Sequence, residues 1–116
     1  METRLEDGTD LVSVRRYVLQ RKFKPELWSE AVPELDRAAD QVAAQQSGTV
    51  RERQTMKIAG RDARHYVVDY EDGGKELTEE LGFVLRGKTE YLLLCRYERG
   101  GDTEACDRLL ATFTLD

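Results

Sequence analysis

The stretch "YEDGGKELTEELGFVLRGKTEYLLLC", residues 70–95, decides the architecture. Two turn signals punctuate it, Asp72-Gly73-Gly74 and Gly87-Lys88. Links this short make the strands on either side antiparallel, because a parallel crossover needs a dozen or more residues. The strands so bounded run over residues 76–86 and 89–98. On the first, Leu81, Phe83 and Leu85 alternate onto one side. On the second, Tyr91, Leu93, Cys95 and Tyr97 share one side while Leu92 and Leu94 take the other. A strand apolar on both faces belongs in the middle of a sheet that is covered on both sides.

Working toward the N-terminus, residues 63–71 read as a further strand, joined by the turn Gly60-Arg61-Asp62 to one at 49–58. That last strand carries Arg51, Glu52, Arg53, Gln54 and Lys57, which suits an edge whose charges discourage pairing with other chains. Residues 26–46 are helical: Leu35, Ala38, Ala39 and Val42 fall on one stripe at i, i+3, i+4 and i+7. Pro33 is placed in the first turn of this helix, where a missing N–H costs nothing, with Trp28 as an anchor in the lead-in. Ser47-Gly48 stops the helix. "QRKFKP", residues 20–25, is a loop, "LVSVRRYVL", residues 11–19, is a strand, and residues 1–10 are a flexible or trimmed N-terminus. On the other side of the quoted stretch, Asp102 is an N-cap for a shorter helix with Cys106, Leu109, Leu110 and Phe113 on one stripe, and "TFTL" could close the chain as a last strand. The expected fold class is α+β: one domain, 1–116, with an antiparallel sheet of about five to six strands flanked by a long N-terminal and a shorter C-terminal helix.

Composition removes several function classes. The net charge of −5 argues against a partner recognised through its phosphate backbone, so no nucleic acid is expected. Arg15, Arg16, Arg21, Lys22 and Lys24 cluster, and read as a solvated strand end and loop. No apolar run approaches the ~18 residues of a membrane helix. The start, "METRLEDGTD", is acidic and polar and unlike a signal peptide, so either the protein is cytoplasmic or a targeting segment has been removed.

Chemistry-bearing residues are few. Cys95 sits near the end of one strand and Cys106 about one turn into the helix that follows, with "ERGGD" between these elements. That places both at one end of the domain, within reach of the ~4.4–6.8 Å Cα separation of a disulfide. The alternative is a pair of reduced, buried thiols acting as small hydrophobes. A metal site lacks ligands, since His65 is the only histidine. His65 and Asp69 share a strand face but are roughly 13 Å apart, too far for a dyad, and His65 reads as solvent-facing. A small hydrolase or isomerase using His65 would need it to meet a buried carboxylate or Cys95 in a pocket. The pairs Glu79-Glu80 and Glu71-Asp72 read as solvated carboxylates beside turns. "EDGG" and "ERGG" are not phosphate loops, and no cofactor is expected. Tyr66, Val68 and Tyr70 form the more apolar face of their strand and read as core; with Trp28 and Tyr97, these tyrosines could instead present polar tips to a partner. An interaction surface of Trp28, Tyr66, Tyr70 and Tyr97 is thus the candidate site.

"IAGRDARHYVVDY", "FVLRGKTEYLLLC" and "CDRLLATFTL", in this order after a strand and a long helix, resemble the PsbP-like superfamily, in particular its bacterial lipoprotein-type branch (LpqN-like and related domains). The matching positions are Gly60, Ala63, Tyr66 and Tyr70, then Gly87, Tyr91 and Leu93, then Leu109 to Phe113. The resemblance implies an α/β/α sandwich and a non-enzymatic accessory, adaptor or binding role. With the cysteine pair, it yields two expectations. The first is an extracytoplasmic envelope domain that binds a protein partner or small ligand through a sheet face or the groove beside a helix. The second is a cytoplasmic chaperone or adaptor, dimeric, that cradles an apolar segment of a client.

Overall fold

A strand of 24 residues, β5 (Lys75–Glu98), would be about 80 Å long if straight, whereas the longest dimension of the molecule is 42 Å. It doubles back at Gly87-Lys88. Gly87 takes φ +59°, the sign that a type II′ turn requires at its first central position. At the open end of the two arms, the Arg99 N–H donates to the Glu76 carbonyl at 3.0 Å. The first arm pairs with β4 (Arg61–Asp72), from Arg64↔Phe83 to Asp72↔Lys75. The second pairs with β2 (Asp10–Phe23), from Leu11↔Arg96 to Val18↔Thr89. The hairpin expected at residues 76–98 is therefore the centre of the sheet.

This computed structural model describes residues 2–7 and 10–115. The remaining elements are β1 (Glu2–Asp7), a 3₁₀ turn (Pro25–Leu27), α1 (Trp28–Gln45), β3 (Thr49–Ile58) and α2 (Glu104–Thr112). Counting β5 once, the sheet is five-stranded and wholly antiparallel, in the order β1-β2-β5-β4-β3. The charged strand β3 is an edge, as its composition demands.

Four expectations are corrected. Residues 2–7 are not a flexible leader but the other edge strand, in register with β2 from Glu2↔Arg15 to Asp7↔Asp10; an edge strand needs little apolar content, and "ETRLED" has only Leu5. Residues 20–23 are not loop: β2 continues through them after its register shifts between Val18 and Phe23, and Phe23 pairs with Gly87. Pro33 lies one turn deeper in α1 than its first turn. Pro33 is exposed, so the carbonyl left without a donor one turn earlier can reach water, while Trp28 and Ala31 hold the preceding turn against the core. "TFTL" forms no strand; Phe113 and Leu115 pack as irregular chain beneath α2.

Strand alternation sends two cores to opposite faces of the sheet. On one face, Leu35, Ala39 and Ala43 of α1 bury against Tyr66, Val68 and Tyr70 of β4 and Leu77, Leu81, Phe83 and Leu85 of β5. On the other, Leu109 and Leu110 of α2, with Phe113, cover Ile58, Ala63, Val84 and Leu93. Burial of a leucine such as Leu35 contributes about 2 kcal/mol. Helix α1 ends in a Schellman motif: Gly48 N–H to Ala43 O at 2.8 Å and Ser47 N–H to Ala44 O at 3.1 Å. Ser47 takes the left-handed position at φ +55°. Gly48 serves a different need, because a Cβ there would stand 2.6 Å from the Asp69 carbonyl oxygen of β4.

Candidate functional site

The cysteines form a disulfide. Cys95 on β5 and Cys106 in α2 have Cα atoms 5.5 Å apart, and both side chains are buried beside Tyr97, Leu109 and Leu110. Local chemistry brings them together. Gly101 N–H closes a turn onto Glu98 O at 2.8 Å, and Asp102 Oδ1 accepts the Glu104 N–H at 2.8 Å, so Asp102 caps α2 from one position before its N-cap, Thr103.

Beside the disulfide lies a buried polar chain. His65 is not solvent-facing: it is 6 % exposed. Its Nε2 is 2.8 Å from Glu80 Oε1, and Glu80 Oε2 accepts the Tyr97 hydroxyl at 2.5 Å. Gln54 Nε2 stands 3.4 Å from His65 Nδ1, so a single tautomer, Nε2–H, satisfies both contacts. The hydrogen bond from His65 outweighs burial and holds the Glu80 carboxyl below its ordinary value. Burial, then the bond to Glu80, pushes the Tyr97 hydroxyl up. Asp69 belongs to a separate cluster. Its Oδ2 takes Arg51 Nε at 2.6 Å and its Oδ1 takes Thr78 Oγ1 at 2.8 Å. Burial opposes its ionisation, but these partners prevail and its carboxyl lies below the ordinary range. The expectation that His65 and Asp69 form no dyad agrees with this separation.

The opposite face carries its own polar contacts. Asp36 of α1 accepts the Tyr66 hydroxyl at 2.5 Å and Arg64 Nε at 3.1 Å, which ties the helix to β4. Glu79 is 4 % exposed; it accepts Gln46 Nε2 at 3.1 Å and the Tyr70 hydroxyl at 3.3 Å. Burial dominates these contacts and raises the Glu79 carboxyl, while Tyr70 is pushed up to about 12 by its own burial and by Glu79. Glu79 and Glu80 are thus not solvated turn residues: they lie within β5, one on each face. The signal was present in the alternation, since Glu79 occupies the position between Leu77 and Leu81 that a core residue would fill, as His65 does between Ala63 and Val67.

The proposed surface of four aromatics does not exist as a surface. Tyr66 is fully buried, and Tyr70 and Tyr97 are each 9 % exposed. A tyrosine goes inside when its hydroxyl finds an acceptor there, and Asp36, Glu79 and Glu80 provide the acceptors. The core alternative for Tyr66 and Tyr70 holds. Trp28 is half-buried and meets Phe23 edge-on, ring centroids 6.4 Å apart.

The expectation of a groove beside a helix names no residues; the structure has a cleft of about 390 Å³ between α1 and the irregular part of β2. Leu19, Phe23, Leu27, Leu35 and Leu85 form its apolar lining, and Glu90 faces into it. Its origin is local: six residues of β2, Val18 to Phe23, span the distance that three of β5, Thr89 to Gly87, cover on the facing strand. The excess bows β2 outward, as bulges do beside binding sites. His65 lines none of the clefts described here. Among the described residues no cluster of three or more His, Cys, Asp or Glu side chains could hold a metal ion, and no helix is long and apolar enough to cross a membrane.

No protein-family model matches this chain. No curated protein matches it either. Among solved structures it is similar to PA94 from Pseudomonas aeruginosa, a protein of unknown function proposed to be a regulator. The two share 14 % sequence identity with a TM-score of 0.64 over 100 % of this chain and 82 % of the other. At that identity the likeness is one of fold.

Proposed function

We propose that this chain is a non-catalytic binding domain of a bacterial envelope protein, working in an oxidising compartment and gripping a protein partner or small ligand in the groove beside α1. One observation carries the compartment: the buried Cys95–Cys106 disulfide, a bond that persists where no reducing thiol pool opposes it. The groove supports the binding role, because ligand sites are commonly concave, and this one combines leucine and phenylalanine side chains with charged groups, Arg21, Lys22, Glu30, Glu34 and Glu90, that could orient a guest. The helix-sheet-helix layering fits the PsbP-like sandwich that the sequence resembles, and we carry that family reading as part of the proposal. The non-enzymatic reading draws on His65: both of its ring nitrogens have partners within the fold, and it reaches no described cleft.

A second reading, a cytoplasmic chaperone or adaptor for an apolar segment, is favoured by Leu5 of β1 and Val18 of β2, which are 74 % and 87 % exposed.

The experiment is intact-mass analysis after thiol alkylation under denaturing conditions, with a blocking reagent present from lysis onward. The envelope reading expects no label until reductant is added. Two labels without reductant would remove it and leave the chaperone reading, to be pursued by capturing clients.

A further inference from the structure

Glu90 is the feature of the cleft that the fold does not explain. It stands on the second arm of β5, opposite Tyr17 in register, and faces α1 across the apolar lining. Among the described residues no hydrogen bond or ion pair reaches its carboxyl, and burial alone lifts it above its ordinary value. Glu90 is half-buried, and it differs from the other buried or half-buried carboxylates described above. Asp36, Asp69, Glu79 and Glu80 are each met by two or more donors. A partly desolvated carboxylate without a partner costs some stability, so a position that keeps one invites a cation from outside.

The charged groups around it set the sign of the guest. Glu30 and Glu34 stand one turn apart on the α1 rim, and Arg21 and Lys22 occupy the β2 rim. The two rims offset each other, leaving the floor to decide, and the floor is a carboxylate. An anionic guest would set a second negative charge against a group that is already desolvated. A neutral apolar guest would leave that group unpaired.

We propose that the cleft between β2 and α1 binds a small amphiphilic primary amine, its ammonium paired with the Glu90 carboxylate and its apolar body lying against Leu19, Phe23, Leu35 and Leu85. This rests on the reading of the chain as a binding domain and names the chemistry of the guest.

The test is titration of the full chain, disulfide intact, with octylamine, octanol and octanoate at pH 7, followed by amide shifts in two-dimensional NMR. Octylamine is expected to move the amides of Leu19, Phe23, Ala31, Leu85 and Glu90. Glu90→Gln, which keeps shape and removes charge, is expected to weaken octylamine by roughly tenfold or more, the scale of a charge-assisted hydrogen bond, and to leave octanol unchanged. Circular dichroism checks that the variant folds. Octanol or octanoate binding as tightly as octylamine, or octylamine indifferent to Glu90→Gln, would overturn the amine assignment while leaving the groove a place for apolar guests. No shift at the cleft with any of the three would overturn the proposal and take the groove out of the binding reading as well.

Discussion

Helix α1 and helix α2 cover the same sheet by different means. Helix α1 has 18 residues, buries Leu35, Ala39 and Ala43, and is tied down by Asp36 to Tyr66 and Arg64. Helix α2 has nine, with Cys106 as its one buried residue. Isolated helices below ~12–15 residues are marginal in water. The shorter helix therefore needs more than packing, and the disulfide to Cys95 supplies it. The adjacent glutamates repeat the contrast. Glu79 faces α1 and its carboxyl is raised by burial; Glu80 faces α2 and its carboxyl is lowered by His65. One step along a strand reverses the electrostatic role of the same residue type.

The largest expected effect breaks the α2 face from within. Glu80→Ala leaves His65 and Tyr97 buried without their shared acceptor and is expected to lower unfolding free energy by about 3–5 kcal/mol in urea. A loss under about 1 kcal/mol would show that water enters and solvates both groups. Next comes the tether: replacing both cysteines by alanine should cost about 3 kcal/mol, the chain-entropy value for a loop of about a dozen residues. Hydrogen exchange should show that loss concentrated in α2, with α1 little changed, and equal loosening of both helices would erase the contrast. On the α1 face, Tyr66→Phe removes one charge-assisted hydrogen bond to Asp36 and should cost about 1.5–3 kcal/mol by the same urea measurement.

The smallest effect is the most discriminating, and it concerns pH. The folded-state pKa of Glu80 is depressed, so its contribution is present above the unfolded value near 4.5 and is lost as pH falls through the folded value. That of Glu79 is raised, so the fold holds its proton more tightly than the unfolded chain does, and stability is gained as pH falls from the folded value toward 4.5. Urea midpoints measured from pH 7 downward should show Glu79→Gln losing that acid-side gain and Glu80→Gln losing part of the acid-side decline. Equal slopes in the two variants would mean that the faces do not differ electrostatically.

Much of the sheet was legible because glycine marks its turns and alternation marks its faces. The hairpin at Gly87, the polar edge β3 and the covered middle strands follow from those two rules. The helical stripe of Leu35, Ala39 and Val42 followed as directly. The failures share a cause. Charged residues were assigned to water by type, whereas Glu79, Glu80 and His65 sit at alternating positions whose neighbours are core. Tyr66 and Tyr70 read as core from their strand face, but with their acceptors assigned to water nothing in the sequence excludes the alternative of an aromatic surface. The cleft was beyond reach for a different reason. It depends on how many residues of β2 face how few of β5, a tertiary count that no local pattern in "LQRKF" records.

The order of pairing in the sheet has a consequence for how the chain assembles. The arms of β5 meet across a two-residue turn, and β4 reaches the first arm across Gly73-Gly74, so these strands can zip locally. The pairing of β2 with the second arm instead joins Leu11 to Arg96, closing about three quarters of the chain into one loop. Loop closure of that length carries an entropy penalty that local pairing avoids. During synthesis β2 waits until its partner arm, Thr89 to Arg96, has been made. Pulse-labelled hydrogen exchange during refolding should therefore protect the amides of β4 and the first arm of β5 before those of β2; simultaneous protection would show that the sheet closes in a single step. A β1–β2 hairpin that must wait for the second arm of β5 makes completion of the sheet depend on its longest-range pairing.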